Sequence, residues 1–103
     1  MATVAVFVED LMLSSRVTES LAAAGHHTVA ARGAEQAEGV DLIVCDLDCV
    51  EPSEMAGFPA PVIGFHSHLD QVTRRQAEEA GIDLVIPRSR MARELPDLVA
   101  RFT

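Results

Sequence analysis

The sequence predicts an open α/β domain, in which five parallel strands in the order 2-1-3-4-5 carry helices on both faces. Three observations predict it. Short apolar runs alternate with amphipathic segments at the spacing of βαβ units. Those runs are continuously apolar, as in strands buried on both faces of a parallel sheet. Acidic residues end two of them: Glu9 and Asp10 follow Thr3–Val8, and Asp46 follows Leu42–Cys45. The 103 residues allow one domain, spanning 1–103, with one core.

Thr3–Val8 is the first strand. In residues 11–24, Leu13, Val17, Leu21 and Ala24 recur at helical spacing, and Gly25 terminates the helix. His27–Ala31 is a short second strand, with His26 and His27 read as solvated in the turn before it. Residues 33–39 are a brief helical turn or loop, and Asp41–Cys45 is the third strand. Leu47–Ala60 contains Pro52, Gly57 and Pro59 and reads as a loop with one helical turn at Ser53–Ala56. Pro61–Phe65 is the fourth strand, with proline at the position where a missing donor is tolerated. Asp70 caps a helix over Gln71–Ala80, ended by Gly81, and Asp83–Ile86 is the fifth strand. After Ser89 a last helix carries the stripe Met91, Leu95, Leu98, Val99 and Phe102. Pro96 is expected to kink this helix or delay its start.

Composition narrows the function. The core is aliphatic, since the chain has four Phe and no Trp or Tyr. Sixteen acids against eight bases give a net charge of −8, which argues against direct binding along a nucleic-acid backbone. All the bases are Arg, and Arg74, Arg75, Arg88, Arg90 and Arg93 fall in the last thirty residues, leaving a local basic face. No apolar run reaches the roughly 20 residues that span a bilayer, and the N-terminus lacks the pattern of a secretory signal. Cys45 and Cys49, spaced C-x3-C without nearby His, read as incidental thiols in a reducing cytoplasm. His66 and His68 flank Ser67. Imidazole suits transition metals, but packing and solvation are the favoured reading for this pair.

The chain order puts the switch point between the first and third strands, where Glu9, Asp10 and Asp46 converge. Three carboxylates in one crevice suit a hard cation such as Mg²⁺, and one of them suits a nucleophile that accepts a phosphoryl group.

Read together, Val4-Ala5-Val6-Phe7-Val8-Glu9-Asp10, Asp41-Leu42-Ile43-Val44-Cys45-Asp46, Pro61-Val62-Ile63-Gly64-Phe65 and Glu79-Ala80-Gly81-Ile82-Asp83 resemble the receiver domain of bacterial two-component response regulators, the CheY-like family. The resemblance implies a flavodoxin-like fold with shortened second and third helices. It also implies a phosphoacceptor at Asp46 and Mg²⁺ held by Glu9, Asp10 and Asp46. Active receivers have Thr or Ser at the end of the fourth strand, where His66 stands here with Ser67 next. They carry Lys at the end of the fifth, where Arg88 and Ser89 replace the family's Lys-Pro. These departures resemble atypical receivers, or pseudo-receivers.

The expected function is that of a stand-alone atypical receiver in cytoplasmic signalling. It is not a metabolic enzyme, and its chemistry is at most phosphorylation from a donor and slow autodephosphorylation. With no appended output domain, its partners are a histidine kinase, another protein, or a second copy docked through the family's fourth helix, fifth strand and fifth helix. One alternative is a haloacid-dehalogenase-like phosphatase with Asp46 as nucleophile and Asp48 as general acid, because Asp46-Leu47-Asp48-Cys49-Val50 fits D-x-D-x-[TV]. Another is a constitutive binding module that is never phosphorylated.

Overall fold

The structure is a computed structural model that describes residues 2–67 and 71–103. Five parallel strands form one sheet in the order β2-β1-β3-β4-β5. They are β1 (Thr3–Phe7), β2 (His27–Ala30), β3 (Leu42–Asp46), β4 (Val62–His66) and β5 (Leu84–Pro87). The helices are α1 (Leu11–Ala23), α2 (Pro52–Ala56), α3 (Gln71–Ala80) and α4 (Arg88–Ala100). The expected second helix is a four-residue 3₁₀ turn, Ala34–Ala37. The expected third is the five-residue α2, which opens on Pro52 where the lost N–H is an orphan anyway.

Alternation along the strands divides the core in two. Val4, Val6, Leu42, Val44, Ile63 and Phe65 face α1 and α4, meeting Val17, Leu21, Met91, Leu95, Leu98 and Val99. Ala5, Phe7, Ile43, Cys45, Val62 and Val85 face the other way, onto Ala37, Leu47, Met55 and Ala77. β3 and β4 are buried along their whole length, as their unbroken apolar sequences require. Gly64 is part of this packing. A Cβ there would sit 2.9 Å from the Leu47 side chain, so glycine lets Leu47 lie across β4.

Polar groups close the strand starts. Asp41 Oδ2 accepts from the Thr3 N–H at 2.8 Å, and Asp83 Oδ2 accepts from the Val62 N–H at 2.8 Å. Pro61 gives up no ladder bond that β3 needs, because its carbonyl accepts from the Ile43 N–H at 2.9 Å. Gly25 and Gly81 have φ of +91° and +104°, the left-handed conformation that turns the chain out of α1 and α3.

Two expectations change. His26 is only half-exposed: its Nδ1 accepts from the Ala2 N–H at 3.1 Å, tying the α1–β2 turn to the chain start. Pro96 does not delay the last helix, which begins at Arg88 and runs through the proline. The buried Met91, Leu95, Leu98 and Val99 lie on both sides of it, each worth about 1.5–3 kcal/mol on burial, against about 3 kcal/mol for an interior proline. The expected Asp70 cap of α3 lies outside the described residues, as does His68.

Candidate functional site at the carboxyl edge of the sheet

Asp46 is the last residue of β3 and is 1% exposed. Parallel pairing sets its position, since Phe7↔Cys45 aligns β3 with β1 and Asp46↔Phe65 aligns it with β4. After Asp46 the chain turns sharply, with the Cys49 and Val50 N–H groups donating to the Asp46 carbonyl at 3.0 and 3.2 Å. This turn folds the next residues back over the carboxylate.

The two carboxylate oxygens of Asp46 are held differently. Oδ1 accepts from the Asp48 N–H at 3.0 Å. Oδ2 is 3.5 Å from Arg88 Nη2, long for an N–H···O bond, and 3.6 Å from Cys49 Sγ, an ordinary length for a weak thiol donor. Arg88 opens α4 directly after β5 and reaches back across the sheet edge to Asp46. Its side chain is 41% exposed, yet Nε is buried and has no hydrogen-bond partner among the described residues. Asp48 Oδ2 accepts from the Ser67 N–H at 3.1 Å, so the β3 turn and the β4 turn are joined. His66 ends β4 and is buried, whereas Ser67 is exposed.

On the β1 side, Glu9 is exposed and Asp10 acts as the N-cap of α1, its Oδ1 accepting from the Leu13 N–H at 3.0 Å. The carboxylates of Glu9, Asp10 and Asp46 are thus at the same edge, but they are not gathered into a triad. No group of three His, Cys, Asp or Glu side chains among the described residues is placed to hold a metal ion. The donor set remains one of hard carboxylate oxygens, the chemistry Mg²⁺ takes. Asp48, the general acid of the phosphatase reading, has Oδ2 engaged by the Ser67 N–H.

Cys49 is the functional neighbour that the sequence did not single out. Its thiol is pushed above the ordinary cysteine range, first by burial, then by the charge of Asp46 and the hydrogen bond to it, and then by the charge of Glu9. The Glu9 backbone N–H opposes these effects. Cys49 Sγ is thus at Asp46, with the Glu9 charge near enough to act on it. The D-L-D-C spacing was the available signal, because a tight turn after a strand-end Asp returns the third residue onto its carboxylate. Cys45, buried inside β3, is pushed up to about 12 by burial and by the adjacent Asp46 charge.

No protein-family model and no curated protein matches the sequence. The fold has clear structural neighbours. A response regulator from Thermotoga maritima superposes with a TM-score of 0.77 at 20% identity, over 97% of this chain and 95% of that one. The chemotaxis response regulator CheY4 of Vibrio cholerae superposes at 0.81 and 14% identity, over 100% and 99% of the two chains. The Mn²⁺-bound form of response regulator Rcp1 superposes at 0.72 and 16% identity, over 96% and 89%. From its first strand to its last helix, the chain has the fold of the CheY-like response-regulator receiver domains.

Proposed function

We propose that the protein is an atypical receiver module in signal transduction, accepting a phosphoryl group on Asp46 and signalling through a protein partner. The observation that carries this reading is the pairing of buried Asp46 with Arg88 across the sheet edge at 3.5 Å. A buried carboxylate with one loosely held oxygen is a nucleophile in waiting. An Asp46 oxygen lone pair forms the new O–P bond while the bond from phosphorus to the donor's leaving group breaks, that group taking the electron pair. Arg88 then serves the phosphoryl oxygens, with a guanidinium that is always charged and offers a planar fork. Its buried, unpartnered Nε supports that role. Glu9, Asp10 and Asp46, which share the edge without forming a ready triad, would have to close on Mg²⁺ for it to supply charge neutralisation during transfer. The Asp48–Ser67 bond links the acceptor turn to the end of β4, so a change at Asp46 is felt beside His66 and Ser67.

The face made by α3, β5 and α4 is the proposed docking surface for a partner or a second copy. It carries Arg74, Arg75, Arg90 and Arg93. Arg74 pairs with Glu78 at 3.0 Å and Arg90 with Glu94 at 3.2 Å, one helical turn away in each case. Arg75 and Arg93 are the exposed cations that remain for an acidic partner.

Intact-mass spectrometry tests the central step. Incubation with Mg²⁺ and acetyl phosphate is expected to add one phosphoryl group, about 80 Da, labile as an acyl phosphate is. Asp46→Asn should abolish the adduct, and Arg88→Met should slow its formation. A folded parent protein that takes up no phosphoryl group would remove the reading and leave a constitutive binding module.

A further inference from the structure

The reduced second and third helices leave one face of the sheet incompletely roofed. A cavity of about 830 Å³ opens there, between the 3₁₀ turn, α2 and the carboxyl ends of β1 and β2. That volume lies in the range of small-molecule sites, which run to roughly 1,000 Å³. Its walls are apolar: Phe7, Ala31, Val50, Met55 and Phe58. Phe7 and Phe58 form a tilted ring pair with centroids 6.0 Å apart. Leu11, 80% exposed, carries the apolar surface onto the lip. An exposed large apolar side chain at the lip extends the apolar surface of the cavity outward.

The charges around this cavity indicate the sign of its ligand. Three carboxylates line it, Glu9, Glu51 and Glu54, against the single guanidinium of Arg32. No ion pair among the described residues engages any of these four. The backbone donors that would cradle an anion after β2 are already spent, because Gln36 Oε1 accepts from the Arg32 and Gly33 N–H groups at 2.6 and 3.1 Å. An anion would meet three carboxylates there, with the Arg32 and Gly33 amides already engaged.

We propose that this cavity binds a small organic cation, an amine with an apolar aliphatic or aromatic body. The body packs between Phe7, Met55 and Phe58, and the ammonium faces Glu9, Glu51 and Glu54. Cys49 lines the same cavity while its thiol contacts Asp46, so the ligand lies one side chain away from the acceptor. The site does not depend on Asp46 being phosphorylated.

The test is an NMR titration of the full chain with 2-phenylethylamine, and in parallel with 3-phenylpropanoate, which has a similar body and the opposite charge. The amine should give saturable shifts at Phe7, Met55 and Phe58 with millimolar or tighter affinity, and the carboxylate should bind far more weakly. The triple variant Glu9→Gln, Glu51→Gln, Glu54→Gln should weaken the amine about tenfold while its spectrum remains that of a folded protein. Arg32→Gln should tighten it. No saturable shift up to roughly 20 mM amine, shifts mapping to another surface, or equal binding of the carboxylate would each overturn the proposal.

Discussion

Asp46 has a cation, a thiol and a backbone amide within reach, and each neighbour predicts a different response to substitution. Cys49 is exposed, yet its thiol is disfavoured as thiolate by partial desolvation in the turn and by the negative charge it touches. Thiolate is the reactive form, so alkylation by iodoacetamide near pH 8 should be slower than for free cysteine. Asp46→Asn removes both the charge and the acceptor's preference for a protonated thiol, and it should speed alkylation of Cys49 while leaving buried Cys45 unreactive. Equal rates in parent and variant would mean that the thiol does not face Asp46. Gly64 gives a second residue-scale prediction. A methyl group there meets three Leu47 side-chain carbons at 2.9 Å, so Gly64→Ala should cost about 1–3 kcal/mol by denaturant unfolding. Because the clash is with one side chain, the same change in a Leu47→Ala background should cost much less. An additive pair would place the strain elsewhere.

At the scale of the element, what could be read in advance follows from whether the signal was local. The five strands were legible because β1, β3 and β4 are unbroken apolar runs, and their ends moved by a residue at most. Gly25 and Gly81 marked helix ends correctly because the left-handed conformation is a property of one residue. The start of α4 was placed too late for the opposite reason. Pro96 is a strong local signal against helix, and it was overridden by packing of the stripe on either side of it. That conflict predicts a stabilising substitution. Pro96→Ala restores an N–H for the Ala92 carbonyl and removes the ring, so the unfolding midpoint should rise, by up to about 3 kcal/mol in stability. A midpoint that falls would show that the proline ring itself fills space that α4 needs. The site was legible only in part. Strand ends and chain order put Asp46 and Arg88 at one edge, but side-chain allegiances were not in the pattern. Asp10 is drawn to the α1 N–H groups, and Cys49 is turned onto Asp46 by the backbone bonds of a tight turn, for which the D-L-D-C spacing was the one signal.

For the whole molecule, the same composition that leaves the core without Tyr or Trp makes its alkaline behaviour unusually simple. The chain has neither Lys nor Tyr. Arginine holds its proton above pH of about 12, and an α-amino group has lost its own by about 8–9. Between these limits the side chains left to titrate are Cys45 and Cys49. Cys45 goes from an ordinary value of 9.0 to about 12 on folding. Below pH 9 the thiol is protonated whether the chain is folded or not, and it contributes no pH dependence. Above 9 the unfolded chain releases the proton while the folded chain keeps it. The unfolded state then binds fewer protons, and stability must fall as pH rises. The slope from Cys45 alone approaches about 1.4 kcal/mol per pH unit until its folded value is reached. Cys49, also raised, adds in the same direction. Urea unfolding followed from pH 7 to 12 should therefore show a plateau and then a steady decline. Cys45→Ala, though less stable at neutral pH through the space it leaves in the core, should lose most of that decline. An unchanged alkaline slope in this variant would mean that β3 opens before its thiol ionises, and that burial in the sheet does not hold the Cys45 proton.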